Sequence, residues 1–296
     1  MPTWTAAEAH ACDDLVRLAL AEDLGERGDL TSALLPEELQ GQAIFRARAP
    51  GVLAGLPAVD VVYRRRGPEV TVQTNRKDGD ALQPGEVIAT VNGPVRLLLS
   101  GERTALNFLQ RLSGVATLTK KYAELIADLS CKLLDTRKTT PGWRRLEKYA
   151  VRCGGGHNHR LGLYDGVLLK DNHLAALRFQ DQPIRHAVAM ARQRYGPSVP
   201  VEVEVETLEQ LAEALTTAAD MVLLDNMDVA TLEKAVHMRN AQAPKVLLEA
   251  SGGVTLATLR ARAATGVDRI SVGALTHSAV ALDIALDYDL SSGTTV

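Results

Sequence analysis

The chain is poor in cysteine and in aromatic residues. Its 296 residues include three cysteines, Cys12, Cys131 and Cys153, and Phe, Trp and Tyr together make up only 4%. An odd number of cysteines without the spacing of metal ligands argues against a disulfide framework. Because large aromatic side chains are scarce, we expect a core built from Ala, Val, Leu and Ile.

The chain also lacks a long apolar run and an excess of basic residues. No segment approaches the ~20 consecutive apolar residues of a membrane-spanning helix. The N-terminal sequence MPTWTAAEAHACDDL is acidic and has no apolar stretch of the signal-peptide type. A formal net charge of -3 argues against a general nucleic-acid binder. These features predict a cytoplasmic protein, in which the RRR run at 64–66 is a solvated strand end.

The first part of the chain predicts a helix followed by a small antiparallel sheet. Residues 6–22 have apolar positions at helical spacing, and Gly25 and Gly28 end that segment. Alternating stretches at 42–55, 70–82 and 85–99 are separated by Pro-Gly, Asp-Gly and Asn-Gly-Pro turn signals. Residues 100–129 predict a long helical region that is interrupted near Ser113 and Gly114.

The second part of the chain alternates strand-like and helical segments. The predicted strands are 132–138, 165–172, 199–206, 220–226, 245–253 and 269–275, and helical patterns at 183–195, 208–218 and 229–240 lie between them. This order predicts βαβ units and a parallel sheet. Polar residues end nearly every strand, which favours an α/β barrel over a doubly wound sheet, because a barrel opens all its strand ends onto one site.

A cationic cluster stands out in this mildly acidic chain. It lies at 135–173, DTRKTTPGWRRLEKYAVRCGGGHNHRLGLYDGVLLKDNH, and contains Arg137, Lys138, Arg144, Arg145, Lys148, Arg152, Arg160 and Lys170. Like charges brought together cost energy unless an anion joins them, so we expect phosphates or carboxylates as ligands. We assign the cations at 144, 145, 148 and 152 to a helix face or a subunit contact.

Carboxylates follow on the next predicted strands. Glu202, Glu204 and Glu206 alternate along one strand, and Asp225 ends the strand after it. Glu204 and Asp225 could be a general acid/base pair, ligands for Mg²⁺ or polar caps of a barrel. Alternation alone does not decide which of the three glutamates faces the interior.

Small residues end the last two predicted strands. Ser251, Gly252 and Gly253 follow one strand, and Ser271, Val272 and Gly273 end the other. Without bulky side chains, backbone N–H groups at such turns can approach a phosphate. Two of these turns in tandem favour a phosphate site over a simple tight turn.

Three histidines lie within the cationic cluster. His157 and His159 share a His-x-His pattern, and His173 follows 14 residues later. This spacing is weak evidence for zinc, and the surrounding positive charge opposes cation binding. Planar guanidinium groups such as those of Arg137, Arg160 and Arg103 instead match carboxylates in a bidentate way.

Taken together, these motifs resemble the quinolinate phosphoribosyltransferases. The resemblance rests on DTRKTTPG, EKYAVRCGGGHNHRLGLYDGVLLKDNH, VEVEVETLEQL, VLLDNM, LEASGG and GVDRISVGALTHS, with EDLGERGDLTS and GERTALNFLQRLSGVAT nearer the N-terminus. It implies an α/β sandwich domain at 1–115 and an α/β barrel at 116–296. It also implies transfer of a phosphoribosyl group from phosphoribosyl pyrophosphate to quinolinate, with Mg²⁺, on the de novo route to NAD.

The resemblance also implies a role for individual residues. Arg137, Lys138, His159 and Arg160 would line the quinolinate pocket, and Thr136 would also bind substrate. Arg103 would reach the site from the neighbouring subunit of a homodimer or larger assembly. Lys170 would reach both substrates. Glu204 and Asp225 would face the ribose and Mg²⁺, and the turns at 251–253 and 271–273 would bind phosphate. Lys138, Lys170, Glu204 and Asp225 would be the catalytic residues.

Three other functions remain open from the sequence. A paralogue involved in molybdenum utilisation shares the TRKTTPG and GGGHNHRLGLYD segments in broad form. A Schiff-base aldolase barrel could use Lys138 or Lys170 as its amine nucleophile, although the arginines and the glycine turns fit a phosphoribosyl substrate better. A barrel that only binds ligands is the third.

Overall fold

The computed structural model describes residues 2–177 and 181–289. The described helices are α1 (Ala6–Leu24), α2 (Leu56–Arg66), α3 (Val95–Glu124), α4 (Arg144–Cys153), α5 (Asp171–Ala176), α6 (Pro183–Tyr195), α7 (Leu208–Leu215), α8 (Val229–Gln242), α9 (Leu256–Ala263) and α10 (Ala274–His277). The described strands are β1 (Gln40–Ala47), β2 (Gly51–Val52), β3 (Thr71–Thr74), β4 (Ala81–Leu82), β5 (Val87–Pro94), β6 (Lys132–Leu134), β7 (Val167–Leu169), β8 (Val201–Val205), β9 (Met221–Asp225), β10 (Leu247–Ser251), β11 (Arg269–Ser271) and β12 (Ile284–Asp289).

The chain forms two compact units. The first contains Met1–Lys120, Thr139–Gly155 and Leu275–Val296, and the second contains Lys121–Lys138 and Gly156–Ala274. The boundary predicted between residues 115 and 116 falls inside helix α3. Across residues 2–177 and 181–289, every helix is too short or too polar to span a bilayer.

The first unit contains a four-stranded antiparallel sheet in the order β12-β1-β5-β3. The predicted small sheet is therefore confirmed. Strand β1 buries Ala43, Phe45 and Ala47 on one face, the alternation expected of a half-buried strand. Strand β12 was not predicted, although Ile284 and Leu286 show the same alternation.

Two predictions for the first unit are wrong. Helix α3 runs without a break through Ser113 and Gly114. A Cβ on Gly114 would lie 2.1 Å from the carbonyl oxygen of Val280, so this small residue permits a close approach rather than ending the helix. The RRR run at 64–66 ends helix α2 instead of a strand, where cations interact favourably with the helix dipole.

The second unit contains a six-stranded parallel sheet in the order β6-β11-β10-β9-β8-β7. All six predicted strands are confirmed, as are the helices predicted between them. The first strand, β6, pairs with the last, β11, which is the pairing that a barrel makes. A single parallel bridge between Leu134 and His157 continues the pairing on the other side of β6.

Alternation along β8 separates two faces of this sheet. Val201, Val203 and Val205 are buried on one face, where their apolar side chains contribute to the core. Glu202 and Glu204 therefore share the opposite face, because successive side chains of a strand point to opposite sides. Cross-strand register places Glu249 of β10 on this acidic face as well.

Candidate active site

The cations predicted to bind anions follow β6 and lie in the segment before β7. Thr136 and Arg137 are half-buried and Lys138 is exposed. The hydroxyl of Thr136 accepts a hydrogen bond from the backbone N–H of Lys138 at 3.0 Å, which fixes this turn. The guanidinium of Arg160 donates to the carbonyl oxygen of Gly166 at 3.0 Å.

Arg137 and Arg160 form a concentrated positive charge. Burial lowers the pKa of Arg160, and the neighbouring charge of Arg137 lowers it further, against the opposing effects of Glu202 and Asp165. This electrostatic coupling means that the two guanidinium groups are close enough to repel each other. An anion bound between them would relieve that repulsion, so the cluster is suited to carboxylate or phosphate.

The structure brings two predicted catalytic residues into direct contact. The Nζ atom of Lys170 lies 2.7 Å from Oε2 of Glu204. Lys170 is 46% exposed, and such a pair contributes little net stability. Lys170 can therefore exchange Glu204 for an anionic ligand at low cost.

Asp225 ends strand β9 and is half-buried. One of its carboxylate oxygens, Oδ2, accepts a hydrogen bond from the side-chain amide of Asn226 at 2.8 Å. Because β8 and β9 are neighbours in parallel register, Glu204 and Asp225 lie near the same end of adjacent strands. These two carboxylates form an acidic edge beside the cations.

The turn after β10 depends on its glycines. Gly252 and Gly253 adopt left-handed backbone conformations with φ of 86° and 56°. A Cβ on Gly252 would also lie 2.2 Å from Oδ1 of Asn226. The backbone N–H of Asn226 donates to the carbonyl oxygen of Ser251 at 3.0 Å. The 251–253 turn is thus held against the end of β9, and the carbonyl oxygen of Gly252 accepts a hydrogen bond from the guanidinium of Arg262 at 2.6 Å.

The 271–273 turn lies at the end of β11. Ser271 and Val272 are buried, and Gly273 is half-buried. The N–H of Val272 donates to the carbonyl oxygen of Leu134 at 2.9 Å, which ties this turn to β6. Because the Val272 side chain is buried, only its backbone could face a ligand here.

The three histidines have separate positions. The backbone of His157 extends the β6 edge, with its N–H donating to Leu133. The Nδ1 atom of His173 accepts a hydrogen bond from the N–H of Lys170 at 2.9 Å, at the start of α5. Only His159 enters a cluster with metal-ligand geometry, together with Glu202 and Glu249.

His159 is surrounded by buried carboxylates. Its Nε2 atom lies 3.1 Å from Oε2 of Glu202 and 3.4 Å from Oε1 of Glu249. Burial lowers the pKa of His159, but the two glutamates more than offset this effect, because they stabilise a proton on Nε2. The N–H of Arg160 donates to Nδ1 at 2.8 Å and opposes a proton on that nitrogen.

Glu202, Glu249, Asp135 and Arg269 were not among the predicted site residues. Asp135 is fully buried and accepts hydrogen bonds from the N–H of His159 and the amide of Asn158. The Nε atom of Arg269 lies 3.1 Å from Oε2 of Glu249. The alternation of Glu202 with buried valines was the available signal, but it does not tell the inner face from the outer one.

Arg103 lies in the first unit, on helix α3, and its side chain is exposed. It borders a groove of about 430 Å³. The residues that line this groove are Leu15, Leu18, Ala19, Glu22, Asp23, Arg103, Thr104, Asn107, Phe108 and Trp143. The predicted contact of Arg103 with a neighbouring subunit stays a prediction.

The fold of the second unit is that of an α/β-barrel type of enzyme, with cations, carboxylates and small residues at the ends of its strands. Comparison with known families gives the particular family. The chain matches the C-terminal domain of quinolinate phosphoribosyl transferase over residues 115–287 and its N-terminal domain over residues 29–113. The chain belongs to the quinolinate phosphoribosyltransferase family, as its motifs predicted.

Curated relatives and solved structures agree with this membership. The chain is 46% identical to a probable nicotinate-nucleotide pyrophosphorylase (carboxylating) of Bacillus subtilis, covering 92% of this chain and 91% of that protein. It is 44% identical to the nicotinate-nucleotide pyrophosphorylase (carboxylating) of Mycobacterium leprae, covering 95% and 98%. The structure of NadC from Streptococcus pyogenes superposes with a TM-score of 0.89 at 40% identity, covering 98% of this chain and all of that one.

Proposed function

We propose that this chain transfers the phosphoribosyl group of phosphoribosyl pyrophosphate to quinolinate and releases nicotinate mononucleotide, pyrophosphate and CO₂. The observation that carries the proposal is the kind of residue found at the carboxyl ends of the strands. Cations follow β6 and β7, carboxylates end β8 and β9, and small-residue turns end β10 and β11. A dianionic acceptor and a pyrophosphate donor need all three features in one site.

Quinolinate binds to the cations near β6 in this proposal. Arg137 and Arg160 present planar groups that match the two ring carboxylates in a bidentate way. Lys138 adds a third charge, Thr136 shapes the turn, and His159 lies beside Arg160. Neutralising the mutual repulsion of the two arginines strengthens the preference for a dianion over a monoanion.

The phosphate groups bind to backbone N–H groups of the 251–253 and 271–273 turns and to Lys170. The ammonium group of Lys170 leaves Glu204 for the pyrophosphate and stabilises the charge that develops on it as the bond breaks. The carboxylates of Glu204 and Asp225 stabilise the positive charge that develops on the ribose. Lys138, Lys170, Glu204 and Asp225 are the catalytic residues of this proposal.

Mg²⁺ fits the same edge. Glu204 and Asp225 are two half-buried carboxylates on neighbouring strands, and Mg²⁺ in proteins takes one or two carboxylates together with substrate oxygens and water. These two residues would hold the ion. When bound, it would neutralise negative charge on pyrophosphate.

Decarboxylation follows from the chemistry of the product ring. Once its nitrogen carries the ribose, the ring is cationic and stabilises the electron pair that the departing CO₂ leaves on the adjacent ring carbon. That carbon then takes up a proton from water to give nicotinate mononucleotide. No covalent bond to the enzyme is needed. The arginines and the glycine turns fit this substrate better than they fit the alternative Schiff-base aldolase reaction.

A homodimer or larger homo-oligomer is also part of the proposal, with Arg103 supplied to the site of a neighbouring subunit. The exposure of Arg103 on the rim of a groove supports an intermolecular role. We further propose a cytoplasmic location. Its support is that Cys12, Cys131 and Cys153 are free thiols, as is typical of reducing compartments.

A turnover assay tests the proposed reaction. Purified protein is mixed with quinolinate, phosphoribosyl pyrophosphate and Mg²⁺, and both CO₂ and the mononucleotide are followed. We expect one CO₂ per mononucleotide and no product when any component is omitted. Nicotinate is supplied in a parallel reaction. Turnover of nicotinate instead of quinolinate, or no turnover of either, would contradict the proposal and favour the paralogue or a binding barrel.

A further inference from the structure

The cluster of His159, Glu202 and Glu249 is the only group among the described residues whose donor atoms converge as in a metal site. Glu202 is 2% exposed and Glu249 is fully buried. The Oε1 atom of Glu202 and both carboxylate oxygens of Glu249 have no hydrogen-bond partner of ordinary geometry within residues 2–177 and 181–289. Buried, under-satisfied carboxylates of this kind require an explanation, since they are costly to maintain.

The hydrogen bond at the other ring nitrogen decides between a metal and a proton at Nε2. Nδ1 of His159 accepts from the N–H of Arg160 and therefore carries no proton in this arrangement. A neutral imidazole must then have its proton on Nε2, the nitrogen that faces the two glutamates. A metal ligand would need the reverse, with Nε2 unprotonated and Nδ1 donating to an acceptor.

The negative charges of the cluster are also balanced without a metal ion. Arg269 forms an ion pair with Glu249, and Arg160 interacts electrostatically with Glu202. Each buried carboxylate therefore has a cation nearby. An added divalent ion would have to enter beside these guanidinium groups, against their repulsion.

We propose that Glu202 and Glu249 are positioning residues that hold the Nε2–H of His159 and thereby fix Arg160 for binding the anionic substrate. The backbone N–H of His159 is held by Asp135, and Nε2 of its ring faces the two glutamates. The Nδ1 atom of the ring in turn accepts a hydrogen bond from the backbone N–H of Arg160. The contacts thus run from two buried carboxylates through one imidazole to the backbone of Arg160, whose side chain belongs to the proposed quinolinate pocket.

Nitrogen NMR of ¹⁵N-histidine-labelled protein tests the proton directly. The chain has seven histidines, and the His159→Gln variant assigns the His159 signals by their loss. Near neutral pH, we expect Nε2 of His159 to carry a proton. Adding Zn²⁺ alone should leave both His159 nitrogen signals unchanged. An unprotonated Nε2, or a Zn²⁺-dependent shift of that nitrogen, would overturn the proposal in favour of a metal site.

Steady-state kinetics test the consequence for Arg160, and this part rests on the proposed function. Glu202→Leu removes the carboxylate nearest to Nε2–H and Glu249→Leu removes the second carboxylate that faces it, so the KM for quinolinate should rise roughly tenfold in each. The KM for phosphoribosyl pyrophosphate should not change. Glu202→Gln retains an acceptor oxygen and should stay within about threefold of the wild type.

Glu206→Gln is the matched control. Glu206 follows the same strand but is exposed, so this variant should keep the wild-type KM for both substrates. Wild-type KM values in both Leu variants, or a Gln variant as impaired as Glu202→Leu, would overturn the positioning role. If the wild type does not turn over quinolinate, the proposed function fails, and the NMR experiment still decides whether Nε2 carries a proton.

Discussion

The two units each contain a buried glutamate cluster, and the clusters differ in how well their polar atoms are satisfied. In the first unit, Glu147 is fully buried and accepts hydrogen bonds from Nε and Nη2 of Arg111 and from the N–H and hydroxyl of Thr140. In the second unit, Glu202 and Glu249 depend mainly on ion pairs with His159 and Arg269.

This difference separates a stabilising network from a functional one. A buried charge contributes to stability only when its hydrogen bonds are made, because desolvation otherwise outweighs the attraction. Glu147 meets this condition, and Arg111 also donates to the carbonyl oxygens of Thr276 and Ala279 within the first unit. The Glu202 cluster does not meet it. We therefore expect the first network to serve folding and the second to serve the site.

The largest predicted effect comes from removing the cation of the first network. Arg111→Met leaves Glu147 charged, buried and without its partner, which should lower the free energy of unfolding by about 3–5 kcal/mol. Urea unfolding measures this loss. Arg65→Met is the control, since Arg65 pairs with Asp13 in a partly exposed ion pair and should cost less than about 1 kcal/mol. Equal losses in both variants would contradict the assignment of the first network.

The next effect concerns the anion pocket. Arg137→Ala removes one of two coupled guanidinium groups, so the affinity for quinolinate should fall roughly 100-fold, or about 2.7 kcal/mol. Calorimetric titration with quinolinate measures this change. Lys234→Ala, which removes an exposed cation from helix α8, should leave the affinity unaltered. An unchanged affinity in Arg137→Ala would count against the pocket.

A smaller effect tests the 251–253 turn. Gly252→Ala should lower stability by more than about 1 kcal/mol, because its backbone is left-handed and a Cβ would meet Asn226. Its KM for phosphoribosyl pyrophosphate should rise as well. Gly196→Ala is the matched control, with φ of 68° but open space around the added Cβ. It should show only the backbone strain. A phosphoribosyl pyrophosphate KM raised equally by both variants would argue against a local role for the turn.

Much of the fold could be predicted because local patterns agree with tertiary structure. The six strands of the second unit read as short apolar runs separated by helical segments, and polar residues at their ends mark the site edge. The pairing of β6 with β11 follows from the same pattern, since a barrel joins its first and last strands.

Other features could not be predicted because they depend on distant contacts. A glycine such as Gly114 usually indicates a break in a helix, yet Gly114 lies within α3. A small residue is needed there because the backbone of Val280 packs closely against it. The sequence could not tell that Glu202 is buried and Glu206 is exposed. Alternation places both on one face of the strand but does not show how deeply each is buried. Glu249 lies within an apolar run, and nothing in the local sequence marks it as a site residue. It comes close to His159 only in the folded structure.

The most direct test of this comparison is the thermal unfolding midpoint of two matched variants, Glu147→Leu and Glu202→Leu. Each replaces a buried glutamate with an apolar side chain of similar size. We expect Glu147→Leu to lose roughly 6–12 °C, because the hydrogen-bond donors of Arg111 and Thr140 are left without an acceptor. Glu202→Leu should stay within about 2 °C of the wild type or exceed it, because it removes a buried oxygen without a hydrogen-bond partner while Glu249 still faces Nε2 of His159. A comparable loss in both variants would contradict the account.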